Sequence, residues 1–353
     1  MGRVAIVAAA GVALVFLTGA HALWPGPSPD PDLNTDSGPS FDCAKAQTTG
    51  EHIVCGDTEL SQADRKMAAA YARLRRTETP ESFATVRDSQ RAWLTHLMRG
   101  CNANGRLPDD ASARNTIKDC LTDDYTSRAD HLHASEVARA EPLTLEPRMR
   151  YFQRAKPDTQ ESDIYPWMSG DAKAAAFNAW IAKTLQLSKR RMDDKQLFPF
   201  NDLPPDMKLS ADRSYRVIRF DQRIASLQVS TYDFSGGAHE ILGESSLNWD
   251  VKNAKPITLA DVFKPGSAWR KFVDAYCLKD LHAQIARRQG NGPDASGIDP
   301  VVKDGANWLF AKDRAIVHFT VYAVASFADG EFDVEIPYKV LQPYLRPDAP
   351  VTP

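Results

Sequence analysis

Apolar positions along the chain fall into three kinds of run. The first, Val4 to Leu17, is unbroken, with Arg3 ahead of it and the small-x-small pattern Ala20-His21-Ala22 behind it. This reads as a secretory signal peptide over residues 1–22. The alternative is an uncleaved anchor, because weak apolar character continues to Leu23 and that length just spans a bilayer. The second kind of run recurs at helical spacing. Leu60, Met67, Tyr71 and Leu74 follow Asp57-Thr58, which can cap a helix; Phe83, Val86, Trp93, Leu94 and Leu97 mark a second helix over 82–97; Ile117, Leu121 and Tyr125 mark a third over 113–132. The third kind alternates and predicts strands over 214–220, 224–234, 244–251, 315–322 and 331–336. Two further helical patterns, 172–190 and 269–288, lie among these strands. Strands beside few helices, without repeated βαβ units, predict an α+β fold: a small helical domain, then an α+β domain with a mainly antiparallel sheet.

Two stretches carry no period. Residues 23–40 are rich in Pro, Asp, Ser and Gly and read as a disordered linker. Residues 134–161 turn to Glu, Arg, Pro and scattered apolar residues and read as a second linker, although 148–154 could be the first strand of the second domain. The expected order is therefore signal peptide 1–22, linker 23–40, helical domain 41–133, linker 134–161 and α+β domain 162–346. A chain of 353 residues accommodates two domains.

Cysteine placement sharpens this picture. Cys43, Cys55, Cys101 and Cys120 all fall in the helical segment, as expected for two disulfides in a small exported domain with little core of its own. Pairing Cys43–Cys55 with Cys101–Cys120 closes two short loops and is favoured. Cys55–Cys101 with Cys43–Cys120 is also geometrically sensible, so the connectivity stays open. No CxxC pair supports zinc. Cys277, with Val273 and Leu281 one helical turn either side, is expected to be a small buried hydrophobe.

A formal net charge of −3 provides no basic field for nucleic acid, so no nucleic-acid partner is expected. Acidic residues gather instead at Asp109, Asp110, Asp119, Asp123 and Asp124. HExxH, GxSxG, Walker and dinucleotide motifs are absent. His131 and His133, two apart on a helix, face different ways, and Asp233 with His239 lacks a third ligand or a nucleophile. No catalytic residue, cofactor or metal is expected.

The order Asp42-Cys43-Ala44-Lys45-Ala46, Glu51, Cys55, Leu60-Ser61, Asp64, Ala70-Tyr71, Gln90-Arg91-Ala92-Trp93-Leu94, Cys101, Cys120-Leu121, Tyr125 and Arg128 resembles the LprI-type lysozyme-inhibitor family over residues 41–133. The stretch 102–115 is long between the last two cysteines for that pattern. Downstream, Tyr165-Pro166, Asn178, Tyr232-Asp233-Phe234-Ser235-Gly236-Gly237-Ala238-His239, Leu247-Asn248-Trp249-Asp250, Ile257 to Phe263, Phe319-Thr320-Val321-Tyr322, Gly330 and Ile336-Pro337-Tyr338 resemble the extracellular domain of the anti-sigma factor RsiV, related to domains in the deacetylase PdaC. In RsiV that domain is a lysozyme receptor that enters the lysozyme cleft. With no anti-sigma segment ahead of the apolar run, its signalling role is not expected here.

The resemblances imply a periplasmic or extracellular binding protein whose partner is lysozyme or another peptidoglycan hydrolase. Membrane attachment is expected only if the N-terminal segment is uncleaved. The expected contact is the loop carrying Tyr232, Ser235, Gly236, Gly237 and His239, with Asp119 and Asp123 steering a basic partner. A cell-wall enzyme or accessory module, or a structural envelope protein, is the alternative.

Overall fold

The computed structural model describes residues 38–135, 137–199, 207–290 and 292–351. The signal peptide and nearly all of the first linker lie outside these residues. Among the described residues no helix is long and apolar enough to cross a membrane.

The helical segment begins with a 3-10 turn at Cys43–Lys45 and continues as α1 (Thr49–Gly56), α2 (Thr58–Thr77), α3 (Pro80–Gly100) and α4 (Ala111–Ala134). Each start has a local cause. A capping box of Thr48 and Glu51 opens α1, the Asp57 carboxylate accepts from Leu60 N at 2.9 Å for α2, Pro80 occupies the first turn of α3, and Asp110 accepts from Ala113 N at 2.9 Å for α4. The cysteines pair as Cys43–Cys55 and Cys101–Cys120. The first bond holds the 3-10 turn to α1, and the second joins the end of α3 to α4. Helix α1 escaped the periodicity reading because it offers the core little besides Val54; its Gly50 instead lets the backbone approach α3, where a Cβ would sit 2.8 Å from Met98 Sδ.

Residues 134–161, expected to be a linker, are mostly sheet. The strands β1 (Ala138–Ala140), β2 (Leu143–Ala155) and β3 (Asp158–Ser169) form one side of a seven-stranded sheet, completed after α5 (Ala172–Thr184) by β4 (Leu209–Phe220), β5 (Ile224–Phe234), β6 (Ile241–Asp250) and β7 (Lys255–Pro256). Strand order follows the chain, and every neighbouring pair is antiparallel except β3–β4. The departure has a physical reason. Glu146, Glu161 and Asp163 are buried charges whose partners come from elsewhere: Arg150 and Arg213 pair with Asp163, Met192 N donates to Glu161 at 3.0 Å, and α3 supplies the donors to Glu146. A stretch that buries charge against distant partners reads locally as polar chain.

After β7 come α6 (Leu259–Val262), α7 (Trp269–Arg287) and α8 (Ile298–Val302), then a three-stranded antiparallel sheet of β8 (Trp308–Phe310), β9 (Arg314–Phe319) and β10 (Phe332–Pro337), and finally α9 (Tyr338–Leu341). The strand expected over 315–322 therefore stops at Phe319. The molecule is α+β with a mostly antiparallel sheet, as expected.

Its two main cores do not divide where the two linker-separated domains were expected. The first runs from Val54 to Val251 and unites the helices, the large sheet and α5. The second unites Ile224 with α7, the small sheet and the C-terminal segment to Val351. Cys277 is fully buried in the second core, where burial pushes its thiol far above the ordinary range.

Candidate functional site

The β5–β6 connection carries the predicted contact residues. Gly236 takes φ +91°, the left-handed conformation glycine permits, and turns the chain after Ser235. Gly237 and His239 are exposed, and Tyr232, near the end of β5, keeps 42% of its surface. The His239 ring stacks on Phe327 at 4.5 Å, and its Nδ1 donates to the Glu240 carbonyl at 2.7 Å. Phe327 in turn lies 5.7 Å from Tyr322, which is 63% exposed. With Ile241 at 48%, this end of the molecule holds three of the four exposed large hydrophobics among the described residues. Tyr322 and Phe327 were not anticipated as surface residues. The Phe-Thr-Val-Tyr run reads as strand, whereas the chain leaves β9 at Phe319 and Tyr322 sits at φ +65°.

Asp233 is turned inward and ion-paired with Arg191, while His239 faces Phe327, so the two do not converge on one acid–base centre. On the opposite face of β5, Tyr232 pairs across the sheet with Asp212. Partial burial and then the nearby Glu240 and Asp212 raise the Tyr232 hydroxyl above its usual value.

Asp119 and Asp123 are exposed on α4, as expected. Asp110 is occupied as a helix cap, and Asp124 is turned inward, 3.5 Å from Cys101 Sγ, where burial raises its carboxyl. Asp123 borders an open depression of about 410 Å³ with Asp130 and His131. His131 and Ser127 also line a small, partly open cavity of about 20 Å³ together with Tyr151, Ser162 and Asp212. This cavity lies between α4 and strands β2, β3 and β4. Asp119 belongs to the same helix face, but nothing in the geometry brings it against the loop.

A second polar cluster went unseen in the sequence. Glu244 on β6, His318 on β9 and Glu331 just before β10 place one potential ligand atom each within 4.8 Å of one another. Asp333 accepts from His318 Nδ1 at 2.8 Å. Burial works against the imidazolium, but Asp333 and Glu244 outweigh it and raise the His318 pKa; burial and Glu244 raise that of Glu331. Its members are separated by about seventy residues and two sheets, so no local spacing announces them.

Residues 42–132 match the family described as lysozyme inhibitor LprI, and residues 260–339 match a family described as a protein of unknown function, DUF3298, which is the RsiV-type domain family. The chain therefore carries an LprI domain followed by a DUF3298 domain. Among solved structures it is similar to a DUF3298 family protein from Pseudomonas aeruginosa PAO1, at 15% identity over 59% of this chain and 97% of that one, with a TM-score of 0.42. It is also similar to a DUF3298 family member from Bacteroides fragilis, at 15% identity over 61% and 96%, with a TM-score of 0.45. No curated protein matches the chain. Neither matched family is described as an enzyme, and two disulfides together with a lysozyme-inhibitor domain indicate an extracytoplasmic protein.

Proposed function

We propose that the protein is exported to the periplasm or beyond and there binds and inhibits a lysozyme-type muramidase, without chemistry of its own. The observation that carries this reading is the match of residues 42–132 to the lysozyme inhibitor LprI family. The exposed aromatic surface of His239, Phe327 and Tyr322, with exposed Tyr232 at the end of β5, is suited to a cleft. Rigid aromatic side chains give contact area at low conformational cost. Occluding a cleft that works through paired carboxylates needs only a well-fitting plug and a complementary rim. Asp119 and Asp123 offer that rim to a basic partner.

The test is direct titration of the purified protein into several classes of lysozyme, followed by binding and by turnover. Binding with loss of turnover is the expected outcome. The absence of binding at tens of micromolar protein in low salt would remove this function and leave the fold untouched.

A further inference from the structure

The cluster at Glu244, His318 and Glu331 has the geometry of a metal site rather than that of an ion-pair network. His318 is 5% exposed, and its Nδ1 is committed to Asp333. That hydrogen bond to a carboxylate fixes the ring and leaves Nε2 to face inward, the second-sphere arrangement typical of a ligating histidine. Nε2 lies 3.0 Å from Glu244 Oε2, yet it is a buried nitrogen with no hydrogen-bond partner among the described residues. The contact is close enough for a hydrogen bond but not directed as one. A separation near 3 Å is what two ligands have when each sits about 2.0–2.2 Å from a shared cation.

The other two members fit the same scheme. Ser230 Oγ donates to Glu244 Oε1 at 3.0 Å, and Gln228, itself held by Arg216, donates to Oε2, so this carboxylate is oriented before any ion arrives. The Glu331 carboxylate accepts no hydrogen bond among the described residues. The neighbouring guanidinium of Arg288 is spent on the backbone carbonyls of Asp329 and Glu331. Three carboxylates thus face one imidazole, an excess of negative charge even if His318 is protonated.

We propose that Glu244, His318 and Glu331 bind a divalent transition-metal ion of the zinc class, with His318 ligating through Nε2 and Asp333 orienting its ring. One imidazole with two carboxylates suits zinc and its neighbours better than calcium or magnesium, which prefer all-oxygen shells. The ion ties β6 of the large sheet to β9 and the start of β10 in the small one. Three protein ligands leave a fourth position for water. The proposal stands apart from lysozyme binding and does not depend on it.

The experiment uses the purified full chain, treated with a chelator and then freed of it, and titrated with zinc chloride by calorimetry; calcium chloride serves as the comparison. One equivalent of zinc is expected to bind and calcium is not. Glu331→Gln, at a partly exposed position that does not test folding, is expected to weaken zinc binding at least tenfold. His318→Ala is expected to abolish it, with circular dichroism confirming the fold. Glu335→Gln, further along β10 where the side chain pairs with Arg314, is expected to change nothing. Cobalt substituted for zinc is expected to give visible d–d bands that Glu331→Gln alters. No zinc uptake at tens of micromolar, or uptake of equal affinity in wild type and Glu331→Gln, overturns the site.

Discussion

The two cores are closed by different means. Where the helices meet the large sheet, the join is built from buried carboxylates. Glu146 on β2 accepts from Thr79 N at 2.7 Å, from Thr79 Oγ1 at 2.9 Å and from Ser82 Oγ at 2.9 Å, so a sheet residue caps the N-terminus of α3. Beside it Glu78 is buried, and Arg128 reaches from α4 to Gln90 and Ser89 within the helices. The second core closes around Trp308, Phe310, Phe319 and Phe332 against Val273, Cys277, Leu281 and Ile285 of α7. Its link to the large sheet mixes neutral and charged contacts: Asn248 Nδ2 donates to the Trp308 carbonyl at 2.7 Å, Phe310 N donates to Ser226 Oγ at 2.9 Å, the Arg219 guanidinium donates to the Val351 carbonyl at 2.7 Å, and Glu244 faces His318. Two disulfides and a seam of buried carboxylates make the first body dependent on redox state and pH. The second, with an apolar interior, is sensitive mainly to volume.

Reduction should show the largest contrast. Both disulfides lie in the first body, with sequence separations of 12 and 19. Loops of that size are each worth about 3 kcal/mol in the chain-entropy model. Because the helices share one core with the large sheet, reductant is expected to lower the melting of that whole body, while the transition of the second core stays in place. Calorimetry with and without reductant reads this. Two cores falling together by the same amount would mean a single cooperative unit and would erase the distinction.

Proton linkage comes next. Burial and then Glu146 raise Glu78 to about 8, and burial and then Asp233 raise Asp212 to about 7. An acid whose pKa rises on folding binds its proton more tightly in the native state. Its contribution is complete below the unfolded value and is lost as pH climbs through the folded one. The first body is therefore expected to lose stability between about pH 4.5 and 8, by at most about 5 kcal/mol from Glu78. His131 acts in the opposite window. Burial and Arg128 lower it to about 4, so stability is lost as pH falls from about 6.5 toward that value. Denaturant melts across pH on wild type and Glu78→Gln check this: the variant should flatten the alkaline limb. An unchanged limb would show that Glu78 does not carry the effect.

The same contrast explains what could be read in advance. Apolar periodicity located α2, α3 and α4, and alternation located β5, β6 and β10, because apolar residues recur there often enough to mark a face even though Arg128, Gln228 and Asp250 are buried among them. Over Leu143–Ser169 it offered only the strand at 148–154, inside β2, because Glu146, Glu161 and Asp163 are buried there largely against donors and cations far along the chain. The turn between β5 and β6 was legible from Gly236 and its neighbours. Phe327 and Tyr322, which complete the surface around His239, belong to a different connection. The Glu244–His318–Glu331 cluster was hidden for the same reason: its meaning lies in tertiary approach.

On the functional reading, the tip and the acidic helix should separate in kinetics. The tip combines the β5–β6 hairpin with Phe327 and Tyr322 from the second family domain, and its aromatic rings would be the parts desolvated on binding. Replacing Tyr232 and His239 by Ala is expected to speed dissociation about 10- to 100-fold with little change in association rate, since buried anchors govern residence time. Stopped-flow and surface-capture measurements on lysozyme would show it. A loss confined to the association rate would move the contact elsewhere.

The smallest effect belongs to α4. Asp119 and Asp123 are exposed, so their influence on a basic partner is long-range and screened, with a reach of about 10 Å at 0.1 M salt. Neutralising both to Asn is expected to slow association only by a few-fold at low salt and to leave dissociation unchanged. The signature lies in the slope more than in the size: the association rate of the variant should depend less steeply on ionic strength, and the two proteins should converge as salt rises. If α4 instead lies inside the contact, the variant will dissociate faster and the difference will persist at high salt. In that event the LprI domain holds the partner directly, and the charged body, not the aromatic tip, carries the inhibitor's grip.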